Sequence, residues 1–230
     1  MKPFHNPFMQ ALNTVADLLW LNFLALICCL PVITVGPSLT ALHYTALKMA
    51  RDEECYIARD FFRSFKLNFR QGVVIWLLML FLTFIIGADF FVIKYAGPEA
   101  GGILEVFLIV TSFLIAFVGV LVFPVLARFE NTIPRTVKNA FLIGVGQLPR
   151  TLLMMAVSAV PALLYVFSPG LIPLVVLFGF SAPAWVCAKL YSGFFRKLEQ
   201  GIAARTPSAK EDAEGRIFRD EVQEGPADGQ

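Results

Sequence analysis

Five long apolar runs dominate this chain and leave few folds open to it. They lie at about Pro7 to Leu30, Gly72 to Ile93, Gly102 to Arg128, Thr151 to Phe167 and Leu171 to Tyr191. Roughly 20 apolar residues at 1.5 Å each cross the hydrocarbon core of a bilayer, and a helix satisfies its own backbone polar groups there. The fourth run is at the short end of that range, which leaves the count open by one. With 57% hydrophobic residues, 16% charged and 23 Phe among 230, the chain carries more apolar surface than a soluble domain can bury. The expectation is an all-α, polytopic transmembrane helix bundle of about five spans over residues 1–200, with short amphipathic cytoplasmic helices. A cytoplasmic tail over 201–230 follows; from about Thr206 it is rich in charge, Gly and Pro, and it has too little apolar material to fold. Only Lys2 precedes the first run as a basic residue and no small-residue cleavage site follows Leu30, so the first span is expected to be retained.

Charge sets the expected orientation. Of the 19 basic residues, all but Lys2 and Lys94 fall on one side of a five-span arrangement, in the connections 51–70 and 128–150, beside them, or after the fifth run. Cytoplasmic connections carry the excess of Lys and Arg, so the amino terminus is expected outside and the carboxyl terminus in the cytoplasm.

The segment "CCLPVITVGPSLTALHY", residues 28 to 44, is apolar yet cannot be one helix. Pro31 removes a helical donor and biases Leu30 away from helix, so the first span is expected to stop there. "VITV" favours extended backbone, and Gly36-Pro37 resets the chain direction. From Ser38 the pattern Leu39, Leu42, Ala46 and Met49 predicts a short amphipathic helix with His43 and Lys48 off its apolar face. The break sits at the cytoplasmic end of its span under this orientation. A knee that turns a spanning helix along the inner face is therefore favoured over a working site.

Three groups of residues are candidates for function. Gln10, Asn13, Thr14 and Asp17 recur at helical spacing in the first run, with Asn22 deeper in. Such a stripe faces a wet groove within the bundle or lies in the headgroup region; in the first case Asn13, Asp17 and Asn22 form a candidate polar path. The stretch "RDEECYIARDFFRSFKLNFRQG" pairs Phe61, Phe62, Phe65 and Phe69 with Arg59, Arg63, Lys66 and Arg70. This predicts an amphipathic cytoplasmic helix that meets either anionic headgroups or a protein partner. Asp52, Glu53, Glu54 and Asp60 interrupt its basic character, which argues against nucleic acid. Asp17, Asp89, Glu99 and Glu105 fall toward the outer side, as a mildly acidic mouth or as ordinary solvated span ends.

Catalysis is not expected. His5 and His43 are the only histidines, and no hydrolase triad, phosphate-cradling glycine loop or HExxH is present. The four cysteines Cys28, Cys29, Cys55 and Cys187 have no metal-binding spacing and read as apolar filler, and no cofactor is implied.

"LPVITVGPSLTALHY" followed closely by "DFFRSFKLNFRQG" resembles the signature of the YesL-like family of small bacterial membrane proteins, whose function is unknown. The elements that carry the resemblance are Leu30-Pro31, Thr34-Val35-Gly36-Pro37, Ala41-Leu42 and the aromatic-basic block from Asp60 to Arg70. It implies the plasma membrane of a Gram-positive bacterium and, through neighbouring sugar-import genes, a link to carbohydrate uptake. On that basis the chain is expected to be a non-enzymatic accessory of oligosaccharide ABC import, contacting permease subunits or a membrane sensor kinase. The alternative is a small-solute transporter or channel working alone.

Overall fold

Apolar periodicity becomes helix along nearly the whole chain in the computed structural model, which describes residues 7–96, 102–129 and 131–205. The helices are α1 (Pro7–Cys29), α2 (Val35–Ala50), α3 (Ile57–Leu67), α4 (Phe69–Ala96), α5 (Gly102–Arg128), α6 (Ile133–Gly146), α7 (Leu148–Phe167), α8 (Ile172–Phe178) and α9 (Ser181–Arg205). Short 3-10 turns at Val32–Thr34 and Pro169–Leu171 complete the list, and no strand occurs among the described residues. The chain divides into two compact units, 1–190 and 191–230. Within the second, the Tyr191 and Phe195 rings lie 4.7 Å apart. Residues 201–205 continue α9, and the rest of the expected tail lies outside the described residues.

Four helices, α1, α4, α5 and α7, are long and apolar enough to cross a membrane, and α8 with α9 makes a fifth candidate that is bent by 52°. Only 6% of the most apolar stretch of α4 is buried within the protein, and Phe81 and Phe84 are 60% and 73% exposed. An exposed apolar surface this continuous belongs in lipid. The fourth span starts at Leu148, three residues before the expected Thr151, and at 20 residues it reaches a full crossing length.

The fifth run was expected to be continuous from Leu171 to Tyr191 and is not. Pro183 has no N–H to offer Gly179 four residues back, and its ring would clash with that residue's carbonyl, so the helix stops at Phe178 and restarts at Ser181. The connection 128–150 likewise contains a helix, α6, that the charge pattern does not announce.

The largest correction concerns α2. It starts at Val35, and it is not a helix laid along a surface: it packs against α1, α3, α4 and α5 together. Gly36, Pro37, Ser38, Thr40, Ala41, Leu42, Thr45, Ala46 and Leu47 are buried. Polar Thr40 and Thr45 are tolerated there because each hydroxyl donates to the carbonyl four residues back, Gly36 at 2.9 Å and Ala41 at 3.0 Å. The rest of the core gathers around this helix, from Leu21 and Ala25 of α1 through Phe61 of α3 and Ile75 of α4 to the run Leu121 to Ala127 of α5.

Candidate functional site

The break after α1 is built from side chains that replace lost helical bonds. Pro31 is extended, at φ −77° and ψ 125°, but Val32 to Thr34 form a 3-10 turn and Val35 is already helical, so the extended backbone expected of "VITV" is replaced by helical turn. Pro37 lies inside the first turn of α2, where no helical partner awaits its missing N–H. The Thr34 hydroxyl sits between two freed carbonyls, 2.7 Å from Cys28 O and 2.8 Å from Pro31 O. Trp76 of α4 donates its indole N–H to Val32 O at 2.8 Å, and Ser38 donates to Ala25 O at 3.1 Å. Gly36 and Gly72 let α2 and α4 touch backbone to backbone. A Cβ on Gly36 would strike the Gly72 carbonyl and lie 2.6 Å from Trp76 Cβ, and one on Gly72 would lie 2.8 Å from Pro37 N.

At the other end of α2, Asp52 adopts φ 55° and closes the helix, with Glu53 N donating to Lys48 O. Lys48 then reaches Asp60 of α3 at 2.9 Å, and the same Asp60 oxygen accepts the Tyr56 N–H at 3.1 Å. Burial pulls the Lys48 ammonium down, but the hydrogen bond and charge of Asp60 outweigh it and hold its pKa above the ordinary lysine value. Beside this pair, burial pushes the Cys55 thiol up to about 12, with Asp60 adding to the shift and Lys48 opposing it.

The structure divides the aromatic-basic block of α3 into two faces. Phe61 is wholly buried, and its ring leads through Phe65, at 6.3 Å, to Phe69, 5.6 Å further on. Arg59, Phe62, Arg63 and Lys66 are exposed and recur every three to four residues, so they form one outward stripe. Phe61 is therefore an anchor of α3 and is removed from the expected contact surface.

The candidate polar path is not gathered into one lining. Asn13 and Asp17 are exposed, the side chain of Gln10 lies outside the described residues, and Asn22 is buried. The Asn22 amide donates to Val176 O at 2.8 Å and accepts from Phe180 N at 3.0 Å and Ser181 N at 3.1 Å. It thus acts as a cap, supplied by α1, for the restart of the bent fifth segment. Asp17 does not group with the outer carboxylates: its charge is felt at Cys55, whereas Asp89 and Glu105 are exposed on the far parts of α4 and α5. Glu99 lies outside the described residues.

Two cavities went unannounced by the sequence. One, of about 690 Å³, is mostly apolar and lies among α2, α4, α5, α7, α8 and α9, with His43, Trp76, Ser158 and Tyr165 among its lining residues. The other, of about 680 Å³, opens where α3, α4, α5 and α6 converge and is lined by Arg63, Arg128 and Arg135 together with Tyr44, Asn68 and Gln71. Those arginines stand in two different connections: Arg63 belongs to the aromatic-basic block, whereas Arg128 and Arg135 count only as topology signals in the sequence. The hint available there is that both connections carry arginine next to a helix end.

No curated protein and no solved structure matches the chain. Residues 14–90, from α1 through most of α4, match the model of the family described as "Protein of unknown function, DUF624", which is the YesL-like family of small membrane proteins that the motifs between Leu30 and Arg70 resemble.

Proposed function

We propose that this membrane protein is a non-enzymatic accessory of carbohydrate import, holding a permease or a membrane sensor kinase of an oligosaccharide ABC system through α3. The observation that carries the reading is the outward stripe of Arg59, Phe62, Arg63 and Lys66. It stands on a short helix fixed from behind by Phe61 in the core and by the Lys48 to Asp60 pair. A rigid helix that presents an aromatic residue among cations is suited to a partner surface of acidic and apolar character. The link to carbohydrate rests on the family resemblance. The setting proposed is the plasma membrane of a Gram-positive bacterium, with α3 and the carboxyl terminus cytoplasmic; five spans then place the amino terminus outside. The gathering of Arg63, Arg128 and Arg135 around one cavity supports a single cytoplasmic end for the two basic connections.

The test is copurification of tagged protein at native expression in mild detergent, with bound proteins identified by mass spectrometry. Sugar-permease subunits or a sensor kinase should be recovered with the wild type and lost with Arg59→Gln/Phe62→Ser/Lys66→Gln, which spares the core. Recovery of the protein alone, or equal retention by the triple variant, would sink the proposal.

A further inference from the structure

The basic cavity shares Arg63 with the outward stripe of α3 and marks one end of the bundle, but the accessory reading gives it no ligand. Its lining draws on five helices and their junctions: Tyr44 from α2, Arg63 from α3, Asn68 and Gln71 around the start of α4, Arg128 from the end of α5 and Arg135 from α6. Leu126 and Ala127 of the same lining are buried, whereas Arg63, Arg128 and Arg135 are exposed. No carboxylate occurs among the described lining residues. Three guanidiniums around one space therefore make it locally positive. Each guanidinium has five N–H donors in a planar fork that matches phosphate oxygens, so one already engaged on one side still has donors to offer. Tyr44, Asn68 and Gln71 add neutral donors.

We propose that this cavity binds a phosphate-bearing anion. About 680 Å³ exceeds what a bare phosphate fills and suits a phosphate ester with a small polar group attached. Such an ester comes either from an anionic lipid headgroup in the adjacent leaflet or from a soluble phosphate monoester. The chemistry is the same in both cases: bidentate guanidinium bonds to phosphate oxygens, with neutral donors on the remaining lone pairs. The site is independent of the outward residues Arg59, Phe62 and Lys66, so the copurification result and this one can fail separately.

The experiment uses the full chain in a zwitterionic detergent, with thermal unfolding followed as phosphatidylglycerol, glycerol 3-phosphate or phosphatidylcholine is added. Phosphatidylglycerol, glycerol 3-phosphate or both should raise the melting temperature saturably, and phosphatidylcholine should not. A response to the lipid alone identifies a headgroup, and a response to glycerol 3-phosphate identifies a soluble ester. Arg128→Gln/Arg135→Gln should weaken the apparent affinity by about tenfold for each arginine removed. The charge-matched Lys138→Gln/Arg150→Gln, outside the cavity, should leave it within about twofold. No saturable shift with either anion, or equal losses in the two double variants, would overturn the proposal. If the cavity double variant does not fold, Arg135→Gln alone serves, with about tenfold weakening expected and an unchanged affinity refuting.

Discussion

Replacing Gly36 by alanine tests whether α2 and α4 interlock through their backbones. The new Cβ would meet the Gly72 carbonyl and lie 2.6 Å from Trp76 Cβ, and neither neighbour can rotate away. Restoring ordinary contact requires the two helices to separate by on the order of 1 Å, and overpacking of that kind costs about 1–3 kcal/mol. Gly87 is the control, because a Cβ there meets nothing within 4 Å. Gly87→Ala gains helix propensity, about 0.5–1 kcal/mol, with no clash. Gly119 is intermediate: its Cβ would lie 2.6 Å from Met79 Cε, the free end of a flexible side chain, which can swing aside. Melting in mild detergent, read as monodisperse protein surviving a heat step, should rank Gly87→Ala highest, Gly119→Ala close to wild type, and Gly36→Ala and Gly72→Ala lowest. At about 2–4 °C per kcal/mol, Gly36→Ala and Gly87→Ala should differ by roughly 3–16 °C. Gly36→Ala and Gly72→Ala melting together with Gly87→Ala would refute the interlock.

Asn22→Leu strands two N–H groups and one carbonyl at the restart of α9 and should cost more than about 3 kcal/mol in unfolding free energy, whereas Asn13→Leu should be near neutral because Asn13 is exposed. Equal melting of the two variants in a bilayer-mimetic detergent would contradict the capping role. With its pKa near 12 against an ordinary 9.0, Cys55 should be alkylated by iodoacetamide at pH 8 roughly 100-fold more slowly than a free thiol, and at the ordinary rate after unfolding in detergent. The folded state keeps a proton here that the unfolded state releases, so the contribution of this group to stability is intact below pH 9 and falls as the pH rises toward 12. Rapid labelling of the folded protein, or a melting temperature flat across that window, would show the thiol is not shielded.

Helix type and membrane setting were legible because they rest on composition and run length, and α1, α4, α5 and α7 fall where the apolar runs are. The breaks were harder, because a proline alone does not decide them. Pro124 and Pro161 sit inside continuous α5 and α7, whereas the chain breaks at Pro31 and again before Pro183. At the second, Gly179 lies four residues before Pro183, whereas at the first Gly36 follows the break and already belongs to α2. At Gly179 the missing side chain also leaves room for the turning carbonyl of Val175. The burial of α2 was illegible for another reason. Its apolar pattern reads as one face, and only the partners α1, α3, α4 and α5 reveal that Ser38, Thr40 and Thr45 can be enclosed as well.

The polar residues of the apolar helices have a common explanation that bears on whether a solute crosses. Backbone freed at a break inside a membrane protein must be satisfied by the protein itself, since lipid offers no partner. At the first break Thr34 takes Cys28 O and Pro31 O, and Trp76 takes Val32 O. At the second, Asn22 takes Val176 O and the N–H groups of Phe180 and Ser181. Further along α5, Thr111 and Ser112 donate to Phe107 O and Leu108 O within their own helix. A residue committed in this way has little hydrogen-bonding capacity left for a passing solute. Transport along α1 would then require Asn22 to release the restart of α9 in every cycle, which ties any flux through this region to a rearrangement of the fifth segment.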